Sequence, residues 1–144
     1  MIRQSVPFVI ALMAAACSAS LATAQPAPAL TAEYVVGVKS TGYTNGQQWD
    51  YVPQGAFITP GNHTGPELLV AVYEQGYANN QIAFFNGMRM QLLQSQPLVN
   101  AQSQIYGYIR YYYIQTPFTS GTFRCQSTSI NFPFNTLSTS LSIK

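Results

Sequence analysis

Hydrophobic and polar residues follow one another in short runs, most of them rich in Val, Ile, Tyr, Phe and Thr and separated by Gly, Pro and Asn. Runs of this kind with this punctuation predict strands joined by turns. Tyr34–Ser40 (YVVGVKS) is the first. Glu67–Gln75 (ELLVAVYEQ) has an unbroken apolar middle, which predicts a central strand covered on both faces. Gln81–Gln94 carries the sharpest local signal, two runs flanking Asn86-Gly87. That pair is preferred where both central residues of a two-residue turn need positive φ. The register then sets Phe85 opposite Met88 and Ala83 opposite Met90, and lines one face with Phe85, Ala83, Met88, Met90 and Leu92. Ile82 and Phe84 fall on the other face with Arg89 and Gln91. Met88–Leu98 also admits a helical reading, which the turn and Pro97 disfavour. Ile105–Ile114 (IYGYIRYYYI) and Gly121–Ser127 (GTFRCQS) are further strands. Leu137–Lys144 alternates cleanly, with Leu137, Thr139, Leu141 and Ile143 directed inward. Pro53, Pro60, Pro66, Pro97, Pro117 and Pro133 are expected between strands, where proline removes no ladder hydrogen bond. About seven or eight strands with regular turns predict an all-β fold, an antiparallel β-sandwich in preference to a barrel.

The N-terminal residues read differently. Arg3 opens a short basic region, Val6–Ala16 is uncharged, and Ala22-Thr23-Ala24 forms an A-x-A site before Gln25. This is the order of parts in a secretory signal peptide. The run is too short to cross a bilayer, which takes roughly 20 residues. The expected organisation is a signal peptide over 1–24, an extended Pro/Ala leader over 25–33 and a single β domain over 34–144, in a secreted or periplasmic bacterial protein. A competing cut lies at Ala14-Ala15-Ala16-Cys17, a loose lipobox with Ala14 where Leu is usual. It would anchor the chain through a lipidated Cys17. No other segment is apolar enough over enough length to span a membrane.

Composition narrows the chemistry. The chain is 47% hydrophobic and 13% aromatic but only 7% charged, with a net charge of +2 that becomes +1 without Arg3. So small a charge removes the basis for strong nucleic-acid binding, and the aromatic content argues against long disorder. Recognition is expected to rest on Ser, Thr, Asn, Gln and Tyr. One His and four acids show no metal-ligand spacing. Neither a P-loop nor a dinucleotide fingerprint is present, so no metal and no cofactor is expected. Without Cys17, Cys125 has no cysteine to pair with. Its plain reading is a buried thiol in a strand, the alternatives an intermolecular bridge or a nucleophile.

Among candidate site residues, His63 lies in a Gly/Pro loop (PGNHTGP), where an imidazole would serve as general base or sit as an exposed loop residue. Paired with Cys125, or with Asp50 or Glu67, it would make a hydrolytic centre. Odd spacing on one strand puts Glu67 and Glu74 on opposite faces, so these two do not form a glycosidase pair. Asp50 with either of them remains open. The even positions of the tyrosine-rich strand, Tyr106, Tyr108, Arg110 and Tyr112, form a row expected on the outer face. The odd positions, Ile105, Gly107, Ile109, Tyr111 and Tyr113, are expected in the core. Such a row stacks on sugars or builds a protein interface. Trp49 and Tyr51 share a face if their segment is extended, with Asp50 on the other.

Several segments together, YVVGVKS, QQWDYV, the HTG loop leading into LLVAVYEQGY, and SINFPFNTLSTSLSIK, resemble the YolA-like family of small secreted bacterial proteins. The similarity covers most of 34–144 and is strongest in VYEQGY and NTLSTSLSIK. The family is a domain of unknown function. The resemblance implies secretion and one compact domain, and carries over no active-site residue.

The leading expectation is an exported, non-enzymatic binding or surface-interaction module for a glycan, an envelope polymer or a protein. Its contacts would come from Trp49, Tyr51, His63, Tyr106, Tyr108, Arg110 and Tyr112. One alternative is a small secreted hydrolase or toxin built on His63 with Cys125 or Asp50/Glu67. Another is a subunit of a surface assembly that pairs through the edge at Leu137–Ile143.

Overall fold

Strand propensity is followed almost run for run in the computed structural model, which describes residues 27–144. The expected signal peptide and Cys17 lie outside those residues. Among the described residues nine strands form: β1 (Ala32–Ser40), β2 (Asp50–Tyr51), β3 (Glu67–Gln75), β4 (Ala78–Phe85), β5 (Met88–Arg89), β6 (Gln91–Val99), β7 (Ile105–Gln115), β8 (Gly121–Ser129) and β9 (Thr136–Ile143). They make an antiparallel β-sandwich of two sheets, β2-β1-β3-β7-β6 and β5-β4-β8-β9. The core is the inward side of each strand: Val35, Val38, Leu68, Val70, Val72 and Tyr112 from the larger sheet, Ala83, Phe85, Phe123, Cys125, Leu141 and Ile143 from the smaller. As its apolar middle predicts, β3 is central, paired with β1 on one side and β7 on the other.

The Asn86-Gly87 hairpin has the predicted register, Phe85 opposite Met88, with φ positive at both turn residues. One part of the expectation fails. Met88 and Leu92 are exposed, while Phe85, Ala83 and Met90 are buried. The chain breaks its pairing at Met90, and β6 crosses to the other sheet as an edge strand. The hairpin thus joins two layers instead of extending one face. Pro97 lies inside β6, not between strands, and an edge strand tolerates it because one side of the ladder is free. At the other end of the sequence, β1 starts at Ala32, two residues ahead of the pattern. Leu30 is buried, and the Thr31 amide donates to the Gln75 carbonyl at 2.8 Å. The Pro/Ala stretch from residue 27 onward is therefore tied into the sheet.

The tyrosine-rich strand reverses its expected parity. Tyr112 is 1% and Arg110 8% exposed, both facing the opposite sheet, whereas Tyr111 and Tyr113 face out. Val70 pairs with Tyr112 and Val72 with Arg110 across β3–β7, so the even residues of β7 share the side of the buried valines. Tyr112→Ala should accordingly cost about 3–5 kcal/mol of unfolding free energy in urea titrations. Tyr111→Ala, one residue away on the outer side, should cost about 1 kcal/mol or less. Equal losses would mean that this parity is wrong.

Candidate functional site

Three groups of residues have chemical potential, and their burial separates them. The first is an aromatic surface on the outer side of the larger sheet. Tyr51, Gly37, Ala71, Tyr111 and Gln94 form one row across all five strands. Gly37 and Ala71 leave a trough in that row, and the Trp49 indole lies along it. A Cβ added at Gly37 would stand 3.0 Å from Trp49 Cε3, so only glycine lets the ring lie this close to the strand. Trp49 reaches Tyr111 at 5.9 Å between ring centroids, and Lys39 Nζ lies 5.8 Å over the indole. A second row brings Tyr34 against Tyr73 at 4.9 Å. Two outer hydroxyls are aimed by hydrogen bonds, Tyr113 donating to Glu67 Oε1 at 2.7 Å and Tyr111 to Gln96 Oε1 at 2.9 Å. Tyr51 is 76% exposed at the edge.

The second group centres on His63. Its Nδ1 lies 2.9 Å from Ser40 Oγ and its Nε2 2.9 Å from Asp50 Oδ2. Asp50 Oδ2 also accepts from the Gly61 amide at 2.8 Å, and Tyr43 stacks on the imidazole at 4.8 Å. The residue types are those of a hydrolytic triad. All three are closed off from solvent: His63 is 0%, Ser40 2% and Asp50 5% exposed. The array instead ties the end of β1, strand β2 and the 60–65 loop together, and the His63 amide donates to the Lys144 carbonyl. The loop histidine is thus neither exposed nor a surface contact.

The third group lies between the sheets. Glu33 and Glu74 are directly opposed on β1 and β3. Glu74 is fully buried, with Oε2 accepting from Arg110 Nε at 2.9 Å and Oε1 from Ser127 Oγ at 2.7 Å. Arg110 also donates to Ser95 and stacks over the Tyr108 ring at 4.2 Å. Both Glu33 oxygens are buried without a hydrogen-bond partner. Burial pushes the Glu33 carboxyl up to about 7; Ser127 relieves this in part, and the charge of Glu74 adds to it. Cys125 lies in the same layer, its Sγ 3.6 Å from the Tyr112 hydroxyl. Burial and then the charge of Glu33 hold its thiol well above the ordinary range, the reverse of an activated nucleophile.

Of the residues singled out from sequence, His63 and Asp50 meet. Cys125 and Glu67 do not join them: Cys125 packs on Tyr112 inside, and Glu67 pairs with Tyr113 outside. Trp49 and Tyr51 stand on the outer surface with Asp50 turned inward, as the alternation implied. Arg110 and Tyr112 are core residues and offer no outer contact, Tyr108 lies under Arg110, and Tyr106 is 37% exposed at the strand end. Tyr34, Tyr73, Tyr111, Tyr113, Ser40 and Glu33 were not anticipated. The odd-position tyrosines of β7 stand on the outer side and not in the core, because Arg110 and Tyr112 turn inward. Ser40 and Glu33 have no local signal, because their partners are 23 residues or more away. The edge of β9 is not wholly open, since the Ser142 amide donates to the Phe57 carbonyl and the Ser142 carbonyl accepts from the Thr59 amide.

Among known proteins, a family profile described as a domain of unknown function (DUF4879) matches residues 25–143. No curated protein and no solved structure matches the chain.

Two outcomes follow from the buried groups. Ser40→Ala and His63→Ala should each lower stability by about 1–3 kcal/mol, as expected when a buried polar partner is lost. The check is urea unfolding of each variant beside the wild type. Glu33 has its folded pKa raised from 4.5 to about 7. Its favourable contribution is therefore complete below about 4.5 and is lost as pH rises through 7. Wild-type unfolding midpoints should fall over that window, and Glu33→Gln should flatten the fall.

Proposed function

The chain belongs to the DUF4879 family of domains of unknown function, and we propose that it is an exported, non-enzymatic module that binds a glycan or a glycan-bearing envelope polymer. The observation that carries this reading is the outer aromatic surface of the larger sheet, where Tyr51 and Tyr111 share one row and the Trp49 indole lies along it. A pyranose ring has one apolar face and a rim of hydroxyls, which suits flat aromatic rings bordered by hydrogen-bonding tips. The border is present in Gln94, Gln96, Lys39 and Glu67. The rings are held before any ligand arrives, Trp49 by Gly37 and Tyr111, so little side-chain entropy is lost on binding. A polymer fits better than a small molecule because the surface is open and extends over five strands. On the segments quoted above, we also read the chain as a YolA-like member of this family. Export is part of the same proposal and rests on the A-x-A site at 22–24.

A second reading, a small hydrolase, is favoured by one observation, the alignment of Ser40, His63 and Asp50. It requires Ser40 to become accessible. Covalent labelling of Ser40 by a fluorophosphonate probe would support it, and absence of labelling on the folded protein would remove it.

The binding proposal is tested by pelleting with insoluble peptidoglycan and by affinity electrophoresis in neutral polysaccharides. Trp49→Ala and Tyr111→Ala should each weaken binding about ten-fold, on the scale of one lost aromatic stacking contact. Tyr51→Ala should weaken it without moving the thermal midpoint. Retention of binding by the Trp49→Ala/Tyr111→Ala double variant would refute this surface as the site.

A further inference from the structure

One end of the sandwich carries no charge. It is formed by residues 27–32, 75–80, 99–106 and 129–136, none of which is Asp, Glu, Lys or Arg. From this end projects the β8–β9 connection, with Phe132 82% exposed, Phe134 62% and Ile130 39%. Isolated exposed apolar side chains are ordinary, but a cluster on one loop marks a contact surface.

The loop is held in a shape that displays them. Asn131 Nδ2 donates to the Ala27 carbonyl and Asn135 Nδ2 to the Leu30 carbonyl. Ser129 Oγ donates to the Asn131 carbonyl at 2.9 Å and accepts from the Leu30 amide at 3.1 Å. The Phe134 amide donates to Asn131 O at 2.7 Å, and the Ile130 amide to Tyr77 O at 3.2 Å. Asn131 and Asn135 are thus bonded back to the body while the residues between them point away. The two phenylalanine rings stand edge to face at 6.3 Å. Tyr77, whose carbonyl holds the Ile130 amide, and Tyr106 stand at the same end, amphipathic rings of the kind that settle at a membrane–water boundary. A hollow of about 370 Å³ lies between these tyrosines and Pro28.

The first described residue lies at the same end, where the Ala27 carbonyl accepts from Asn131 Nδ2.

From this juxtaposition we propose that the Ile130/Phe132/Phe134 loop is a lipid-docking tip that inserts into the interfacial layer of a bilayer. The uncharged amides and hydroxyls around it lose far less on leaving bulk water than ions would. Insertion gains from apolar area alone and needs no anionic headgroup, so it differs from polybasic attachment. It stands the sandwich on end, with the aromatic surface of the larger sheet turned sideways and free.

The test is co-sedimentation with phosphatidylcholine vesicles, using the full chain and the chain beginning at Gln25. Both should pellet with vesicles, and raising the salt concentration should leave the bound fraction unchanged. Phe132→Ser/Phe134→Ser should lower partitioning at least about ten-fold, with an unchanged thermal midpoint because both rings are exposed. Four results would overturn the proposal. These are no vesicle binding by the chain from Gln25, full retention by the double variant, loss of binding in salt, or concentration-dependent self-association that the double variant abolishes. The last would assign the tip to a second copy of the chain.

Discussion

Glu74 is buried completely, and partners from two other strands satisfy its carboxylate. Arg110 from β7 and Ser127 from β8 occupy both of its oxygens. A buried carboxylate stripped of one such partner costs about 3–5 kcal/mol. The β3–β7 register is therefore tightly set, and with it the facing of every residue in β7. Once Arg110 turns inward to Glu74, Tyr112 and Tyr108 must turn inward too, and Tyr111 and Tyr113 must face out. Because Ser127 belongs to the opposite sheet, the same carboxylate also links the two layers.

The aromatic surface depends on that choice. Tyr111 meets Trp49 only because it stands outside, and Trp49 lies flat only because Gly37 and Ala71 sit beneath it in the same cross-strand row. The inner and outer faces of the larger sheet are thus coupled through one strand's parity. Charge is spent sparingly elsewhere. Asp50 is bound to His63, Glu67 to Tyr113, and Lys39 rests over Trp49. The end of the sandwich that bears Phe132 and Phe134 carries none.

Polar groups inside this protein bond mostly to one another, across elements distant in sequence. Ser40, His63 and Asp50 have the identities of a catalytic triad but close off a corner where β1, β2 and the C-terminal carbonyl meet. Glu33 is the one carboxyl of the interior layer without a bonded partner, and it raises its own pKa in response.

The all-β class, the two-sheet arrangement, the central place of β3, the hairpin at Asn86-Gly87 and the inward side of β9 were all legible from local pattern. Each is decided within a few residues, by the two-residue period of a strand or by the φ demands of a tight turn. The facing of β7 was not legible. Tyrosine occupies both sides of that strand, so hydropathy alone does not distinguish them, and Arg110 reads as an outward residue until Glu74 is placed 36 positions away. The crossing of β6 to the other sheet, the burial of His63 and the pairing of Glu33 with Glu74 depend in the same way on distant partners. Sequence by itself determined the elements and their turns, because those follow from backbone sterics and nearest neighbours. Tertiary structure alone decided which faces are in and which are out, because that is settled by compensating a buried charge across two sheets.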